Sequence, residues 1–144
     1  MIRVTLDTNV LASGATSVAG PVAILMEAWR RADLIVVVSS HILAELEEAP
    51  RNPYFAQQLD RRARNVYLRL VRQRAIVIPI TTPVPTIVSE YDDNLVLATA
   101  DSGGVAYLVT GDAELLRLGA FRDVAILSPR SFLAVLDPRE RAEP

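Results

Sequence analysis

Short apolar runs alternate along the chain with stretches that have helical signals. The runs are rich in β-branched residues and have the length of buried strands. The predicted strands are Ile2–Leu6, Leu34–Val38, Ala75–Ile80, Val105–Val109 and Val124–Leu127. The predicted helices are Pro21–Arg31, His41–Glu48, Tyr54–Gln73, Asn94–Ala100, Ala113–Leu118 and Ser131–Leu136.

Local signals support several of these boundaries. Pro21 suits the first position of a helix, and Ser39 and Ser40 suit the cap of the next one. The segment Pro50-Arg51-Asn52-Pro53 separates two helices, and Thr81–Pro85 reads as a proline-rich turn.

Five apolar strands separated by helices predict an α/β fold, a three-layer α/β/α sandwich around a mostly parallel sheet of about five strands. We expect one domain over residues 1–137 and a flexible, charged tail over 138–144. In such sheets ligands bind beyond the carboxyl ends of the strands, so functional residues are expected there.

Composition narrows the class of protein. Half of the residues are apolar (51%), which supports a sizeable core. No apolar run approaches the roughly 20 residues of a membrane helix, and the chain opens on a strand rather than on a signal-peptide pattern. We therefore expect a cytoplasmic protein without a membrane partner.

The missing residue types exclude several chemistries. Cysteine is absent, which rules out disulfides and thiol catalysis, and His41 is the sole histidine. All 15 basic residues are arginines, so a mechanism that needs a lysine cannot operate.

Four carboxylates are candidates for a site. Each also has a simpler interpretation: Asp7 as a turn or cap residue, Asp93 and Asp112 as helix N-caps, and Glu45 as the partner of an arginine. Asp7 and Asp112 follow strands, while Glu45 and Asp93 lie near the starts of helices that follow strands. All four can therefore meet at one edge of the sheet.

A cluster of this kind needs positive charge. Carboxylates that lie close together repel one another, and no lysine is present to neutralise them. A hard cation such as Mg²⁺ or Mn²⁺ prefers oxygen ligands, and it could activate a water and stabilise charge on a phosphodiester. Thr8 and Asn9 could orient Asp7 through hydrogen bonds. Together the four carboxylates favour a metal-dependent nuclease.

The same residues resemble the PIN-domain nucleases, particularly the VapC-like toxin components of toxin–antitoxin systems. The resemblance covers most of the chain and rests on the order and spacing of four short motifs. These are Leu6-Asp7-Thr8-Asn9-Val10-Leu11, Ser39 with Leu43-Ala44-Glu45-Leu46, Asp92-Asp93-Asn94 with Leu97-Ala98 and Ala100, and Leu108-Val109-Thr110-Gly111-Asp112.

The resemblance implies specific roles for residues. Metal-binding and catalytic carboxylates would be Asp7, Glu45, Asp93 and Asp112, and supporting polar residues would be Asn9, Thr110 and Asp92. It also implies a Mg²⁺- or Mn²⁺-dependent endoribonuclease of single-stranded RNA, a homodimer and a cognate antitoxin. The segment Ser89-Glu90-Tyr91 departs from the basic or proline-containing lead-in expected there, which affects the expected substrate contacts.

An arginine strip is predicted on the long helix. Its members Arg61, Arg62, Arg64, Arg69 and Arg72 fall within an arc of roughly 160°. The opposite face, with Leu59, Val66 and Leu70, is expected to be buried. The strip would be a solvated face, a contact for RNA phosphates or a docking face for the antitoxin.

Two other functions fit parts of the pattern. A phosphoacceptor domain shares the layout, but it requires a lysine beside the phosphoryl group. A non-catalytic binding module that kept the fold and lost nuclease activity remains open, because a sequence does not measure turnover.

Overall fold

A computed structural model describes residues 1–48 and 59–137. Its strands are β1 (Ile2–Leu6), β2 (Leu34–Val38), β3 (Ile76–Val77), β4 (Tyr107–Val109), β5 (Ala120–Phe121) and β6 (Val124–Leu127). Its helices are α1 (Thr8–Gly14), α2 (Pro21–Arg30), α3 (Ser40–Glu48), α4 (Arg61–Arg74), α5 (Tyr91–Ser102), α6 (Ala113–Leu118) and α7 (Pro129–Leu136).

The sheet has the order β3-β2-β1-β4-β6-β5, and all its pairings are parallel except that of β5 with β6. From β1 the chain first builds outward through β2 and β3, and it then returns to place β4 on the other side of β1. The strand order therefore reverses between β1 and β4. At such a switch point the two following loops diverge and leave a crevice beyond the carboxyl ends of the strands.

Strand burial explains why the central runs form this sheet. Val4 and Leu6 in β1, Val36 and Val37 in β2 and Leu108 in β4 are all at most 1% exposed. α5 packs across β1, β2 and β4, while α2 packs on β2 and on α7. The predicted three-layer α/β/α fold is confirmed.

The third strand is shorter than predicted. Ile76 and Val77 pair with β2, and Ile78 still donates to the carbonyl of Val38. The partner strand β2 itself ends at Val38, so the ladder has no further partner residues and the expected strand over Ala75–Ile80 ends early.

Two helices begin at residues where the apolar pattern did not predict the start of a helix. α1 was not predicted, and it starts directly at the end of β1, with Asp7 as its N-cap. α5 starts at Tyr91 rather than Asn94, so Asp92 and Asp93 belong to its first turn. The interpretation of Asp93 as an N-cap is therefore wrong, because Glu90 occupies that position.

The long helix also differs from its prediction. α4 begins at Arg61, where the Asp60 side chain accepts from the Ala63 N–H at 2.7 Å. The segment 49–58, which includes the predicted helix break and the start at Tyr54, lies outside the described residues, as does the predicted tail 138–144. Nor does α4 bury the expected face: Val66 and Leu70 are 46% and 44% exposed, whereas Val71 is buried.

In the two described ranges, no helix combines the length and apolar character needed to cross a membrane.

Candidate metal centre

Asp7 lies at the switch point itself. Its N–H donates to the Val109 carbonyl at 3.0 Å, which joins the carboxyl ends of β1 and β4. Its side chain is buried, and both of its oxygens accept hydrogen bonds. Oδ1 accepts from the Thr8 N–H and Oδ2 from the Thr110 hydroxyl, each at 2.7 Å. The carboxylate therefore has a fixed orientation.

Thr110 connects Asp7 to Asp112. The Thr110 hydroxyl oxygen accepts from the Asp112 N–H at 3.0 Å while its proton goes to Asp7. Asp112 caps α6 and accepts from the Leu115 N–H at 2.9 Å. The N-cap interpretation of Asp112 thus describes its local structure, and it leaves the second carboxylate oxygen available for another role.

Glu45 projects from α3 towards the same edge and is half-buried. Its Oε1 accepts from the Thr8 hydroxyl at 3.1 Å and lies 3.0 Å from His41 Nε2, one helical turn earlier. The alternative in which Glu45 pairs with an arginine is wrong for the described residues, because the ion pairs of those arginines go to other carboxylates.

The first turn of α5 contributes Asp92 and Asp93. Asp93 is half-buried, and Asp92 has 64% of its side chain exposed, with Oδ1 3.8 Å from His41 Nε2. Asn94 secures this turn from beneath: its buried amide donates to the carbonyls of Val88 and Glu90, and its oxygen accepts from the N–H groups of Ile87 and Val88.

The charges of these carboxylates act on one another. Burial and the negative charges of Asp112, Asp7 and Glu45 raise the pKa of Asp93 to about 6. Burial raises the pKa of Asp7, and Asp112 adds to the shift. Burial also raises the pKa of Glu45, with further contributions from Asp92 and Asp7. A shift of this sign means that each folded carboxylate resists ionisation when no cation is present.

The four expected ligands are thus close enough for their charges to interact, but they do not all converge. Among the described residues, one group of three potential ligands has its donor atoms within 4.8 Å of one another. It consists of His41, Glu45 and Asp92. The remaining supporting residue, Asn9, is exposed in the first turn of α1, and its side chain makes no hydrogen bond with another described residue.

Two further contacts connect residues at this edge. Of the two residues that could orient Asp7, Thr8 makes the hydrogen bond and Asn9 does not, and Thr8 also contacts Glu45, which was not expected. His41 lies between Glu45 and Asp92, although the sequence suggested no role for it. The spacing of four residues between His41 and Glu45 was an available signal, since side chains so spaced meet on a helix surface.

The donor set fits a hard divalent cation. It consists of carboxylates, two of them held by threonine hydroxyls, and no arginine of the described ranges lies within ion-pairing distance of Asp7, Asp93 or Asp112. Such uncompensated negative charge is what Mg²⁺ or Mn²⁺ neutralises in oxygen-ligand sites.

Fold and site together define a class: an α/β/α protein with coupled carboxylates at the switch point of its parallel sheet. The chain belongs to the PIN-domain family, whose model matches residues 3–114. PIN domains are generally nucleases that use divalent metals.

The fold is also similar to a chain in the crystal structure of VapBC2 from Rickettsia felis bound to a DNA fragment from their promoter. The TM-score is 0.62 at 15% sequence identity, and the match covers 87% of this chain and 97% of that chain. A comparison with curated proteins found no match.

Proposed function

We propose that this chain is a Mg²⁺- or Mn²⁺-dependent endoribonuclease that cleaves single-stranded RNA as the toxin of a toxin–antitoxin pair. The observation that carries the proposal is the set of mutually coupled carboxylates at the switch point, without an arginine to balance them among the described residues. Family membership supports the nuclease chemistry.

In this proposal Asp7, Glu45, Asp93 and Asp112 hold the metal. When bound, a divalent ion supplies Lewis acidity for the activation of water and positive charge beside the phosphodiester. Thr110 and Thr8 orient Asp7, and Thr8 also orients Glu45, so the orientations of these two carboxylates are set before an ion binds. The raised pKa of Asp93 makes a proton and a metal ion competitors for this carboxylate.

A direct assay tests the activity. The purified protein is incubated with labelled single-stranded RNA, duplex RNA and single-stranded DNA, with Mg²⁺ or Mn²⁺ and with a chelator. Internal cleavage of single-stranded RNA that stops on chelation supports the proposal. Metal binding by calorimetry without cleavage of any substrate favours the alternative, a non-catalytic PIN-like binding module.

We further propose that the arginine strip, Arg61, Arg62, Arg64, Arg69 and Arg72, contacts RNA phosphates. α4 packs on α3, the helix that carries Glu45. Four of the five residues are exposed, and Arg64 is partly so. Arg72 has an ion-pair partner in Glu47, which leaves Arg61, Arg62 and Arg69 as the better phosphate contacts.

Replacing Arg61, Arg62 and Arg69 with glutamine should weaken RNA binding and flatten its salt dependence. Each phosphate contact to a single strand contributes a slope of about 0.7 in log K against log salt, so the slope should fall by about 2. Fluorescence anisotropy at several salt concentrations measures this change. Arg74, Arg117 and Arg130, which are exposed outside the strip and have no ion pair with another described residue, provide a matched triple variant. Equal slopes for the two variants would show that the strip does not contact RNA phosphates. Antitoxin docking would then be its proposed role.

An antitoxin and a second copy of the chain are the proposed protein partners. The fold similarity to a chain of the VapBC2 structure supports the first, because that structure is named as a VapBC complex. Inhibition of RNA cleavage by the purified product of a neighbouring reading frame tests it. Light scattering on the purified chain tests the homodimer.

A further inference from the structure

His41 occupies a position that the proposed four-carboxylate site does not explain. It lies in the first turn of α3, with Glu45 one turn later on the same helix and Asp92 opposite on α5. The chain has no other histidine, so a nitrogen ligand can come from this residue alone.

The Nε2 atom of His41 is buried and unsatisfied. It lies 3.0 Å from Glu45 Oε1 and 3.8 Å from Asp92 Oδ1, but neither contact has the alignment of a hydrogen bond. A buried polar atom without a partner destabilises the folded chain. Two carboxylate oxygens close to such a nitrogen, and not aligned with its N–H, have the arrangement expected of ligands around a common ion.

The spacing of the three donor atoms fits a metal. They lie within 4.8 Å of one another. Bonds of about 2.1 Å separate neighbouring ligands by about 3.0 Å in octahedral and about 3.4 Å in tetrahedral coordination. The Nε2–Oε1 distance of 3.0 Å and the Nε2–Oδ1 distance of 3.8 Å are close to these values, and the exposed Asp92 side chain is free to approach.

From this geometry we propose that His41, Glu45 and Asp92 form a second cation site, beside the four-carboxylate site and sharing Glu45 with it. An imidazole nitrogen with two carboxylates suits a first-row transition-metal dication such as Zn²⁺ or Co²⁺ better than Mg²⁺, which prefers oxygen ligands and retains its waters. The Thr8 hydroxyl holds Glu45 Oε1, the oxygen nearest to His41, and so orients the shared ligand.

The single histidine makes the test direct. The protein is prepared without a histidine tag and with ¹⁵N-labelled histidine, and Zn²⁺ is added in the presence of excess Mg²⁺. The Nε2 resonance of His41 should move to the metal-bound range at one equivalent of Zn²⁺. Zn²⁺ binding that leaves this resonance in place, or no binding at all, would overturn the proposal and leave His41 as an ion-pair partner of Glu45 and Asp92.

Variants separate this site from the nuclease site. Asp92→Asn should weaken Zn²⁺ binding, measured calorimetrically in excess Mg²⁺, by about tenfold or more. Glu48→Gln, which alters an exposed carboxylate on the same helix, should leave the affinity unchanged. Asp7→Asn should retain the Zn²⁺-dependent shift of His41 whether or not the protein cleaves RNA, so the two proposals can fail independently. Equal Zn²⁺ affinity in Asp92→Asn and Glu48→Gln would count against the three-residue site.

Discussion

Asp7→Asn is expected to lower the rate of metal-dependent RNA cleavage by at least about 100-fold. Asp7 is the most buried of the proposed ligands, and two hydrogen bonds fix both of its oxygens. An amide offers the metal one neutral oxygen in place of a charged carboxylate. Initial rates of cleavage at saturating Mn²⁺ measure the loss.

The same substitution should not harm the fold. Asparagine keeps an oxygen that can accept from the Thr8 N–H, and its amide N–H can donate to the Thr110 oxygen in place of the hydrogen bond that the Thr110 hydroxyl loses. It also removes a buried charge that Asp112 repels. The free energy of unfolding of the metal-free variant, from urea titration, should therefore equal or exceed that of the wild type. Asp33→Asn, the same exchange at an exposed position, should retain full activity. Undiminished cleavage by Asp7→Asn would exclude Asp7 from the proposed metal site.

The central sheet was predictable because its strands are buried on both faces. Runs such as Leu34–Val38 are apolar throughout, and that pattern is typical of parallel strands under helices. The edge strand was not predictable in length, because its end depends on where its partner β2 ends rather than on local hydrophobicity. α1 was missed for a related reason: it is short, and its buried residues Val10, Leu11 and Ala12 are consecutive, so no helical period is visible.

The candidate site was predictable to the extent that topology brings strand ends together. Asp7 and Asp112 follow neighbouring strands, and the register that pairs Leu6 with Val109 brings them to one edge. The hydrogen bond from Thr8 to Glu45 and the approach of Asp92 to His41 depend on how α1, α3 and α5 approach one another, which no periodicity encodes. The faces of α4 were misjudged because Tyr67, rather than Leu70, turns inward and donates its hydroxyl to the Leu11 carbonyl.

The stability of the metal-free protein is expected to fall as pH rises from about 5 to about 7.5. Burial and the neighbouring charges raise the pKa of Asp93 from 3.8 to about 6, and the pKa values of Asp7 and Glu45 move in the same direction. At pH values between the pKa of the unfolded chain and that of the folded chain, the folded chain binds more protons than the unfolded chain. Raising the pH through this window therefore favours unfolding, and the full penalty is present above about pH 6.

Carboxylates with a lowered pKa do not reverse this fall of stability with rising pH. The pKa of Glu27, which pairs with Arg30, is lowered to about 2, so the stability that it contributes is lost below about pH 4.5. Thermal unfolding in the presence of a chelator should give a higher midpoint at about pH 5 than at about pH 7.5. Asp93→Asn should reduce this difference, whereas Asp123→Asn, at an exposed position, should not.

Adding Mn²⁺ should reverse the dependence of stability on pH. An ion that binds the folded state alone stabilises it by about 2.7 kcal/mol at 100 times its dissociation constant. Its ligands must be deprotonated, so the gain is larger at the higher pH, where the metal-free protein is weakest. The unfolding midpoint with Mn²⁺ should thus be higher at about pH 7.5 than at about pH 5, the reverse of the metal-free order. An identical pH profile with and without Mn²⁺ would mean that these carboxylates are coupled to one another but do not bind the ion.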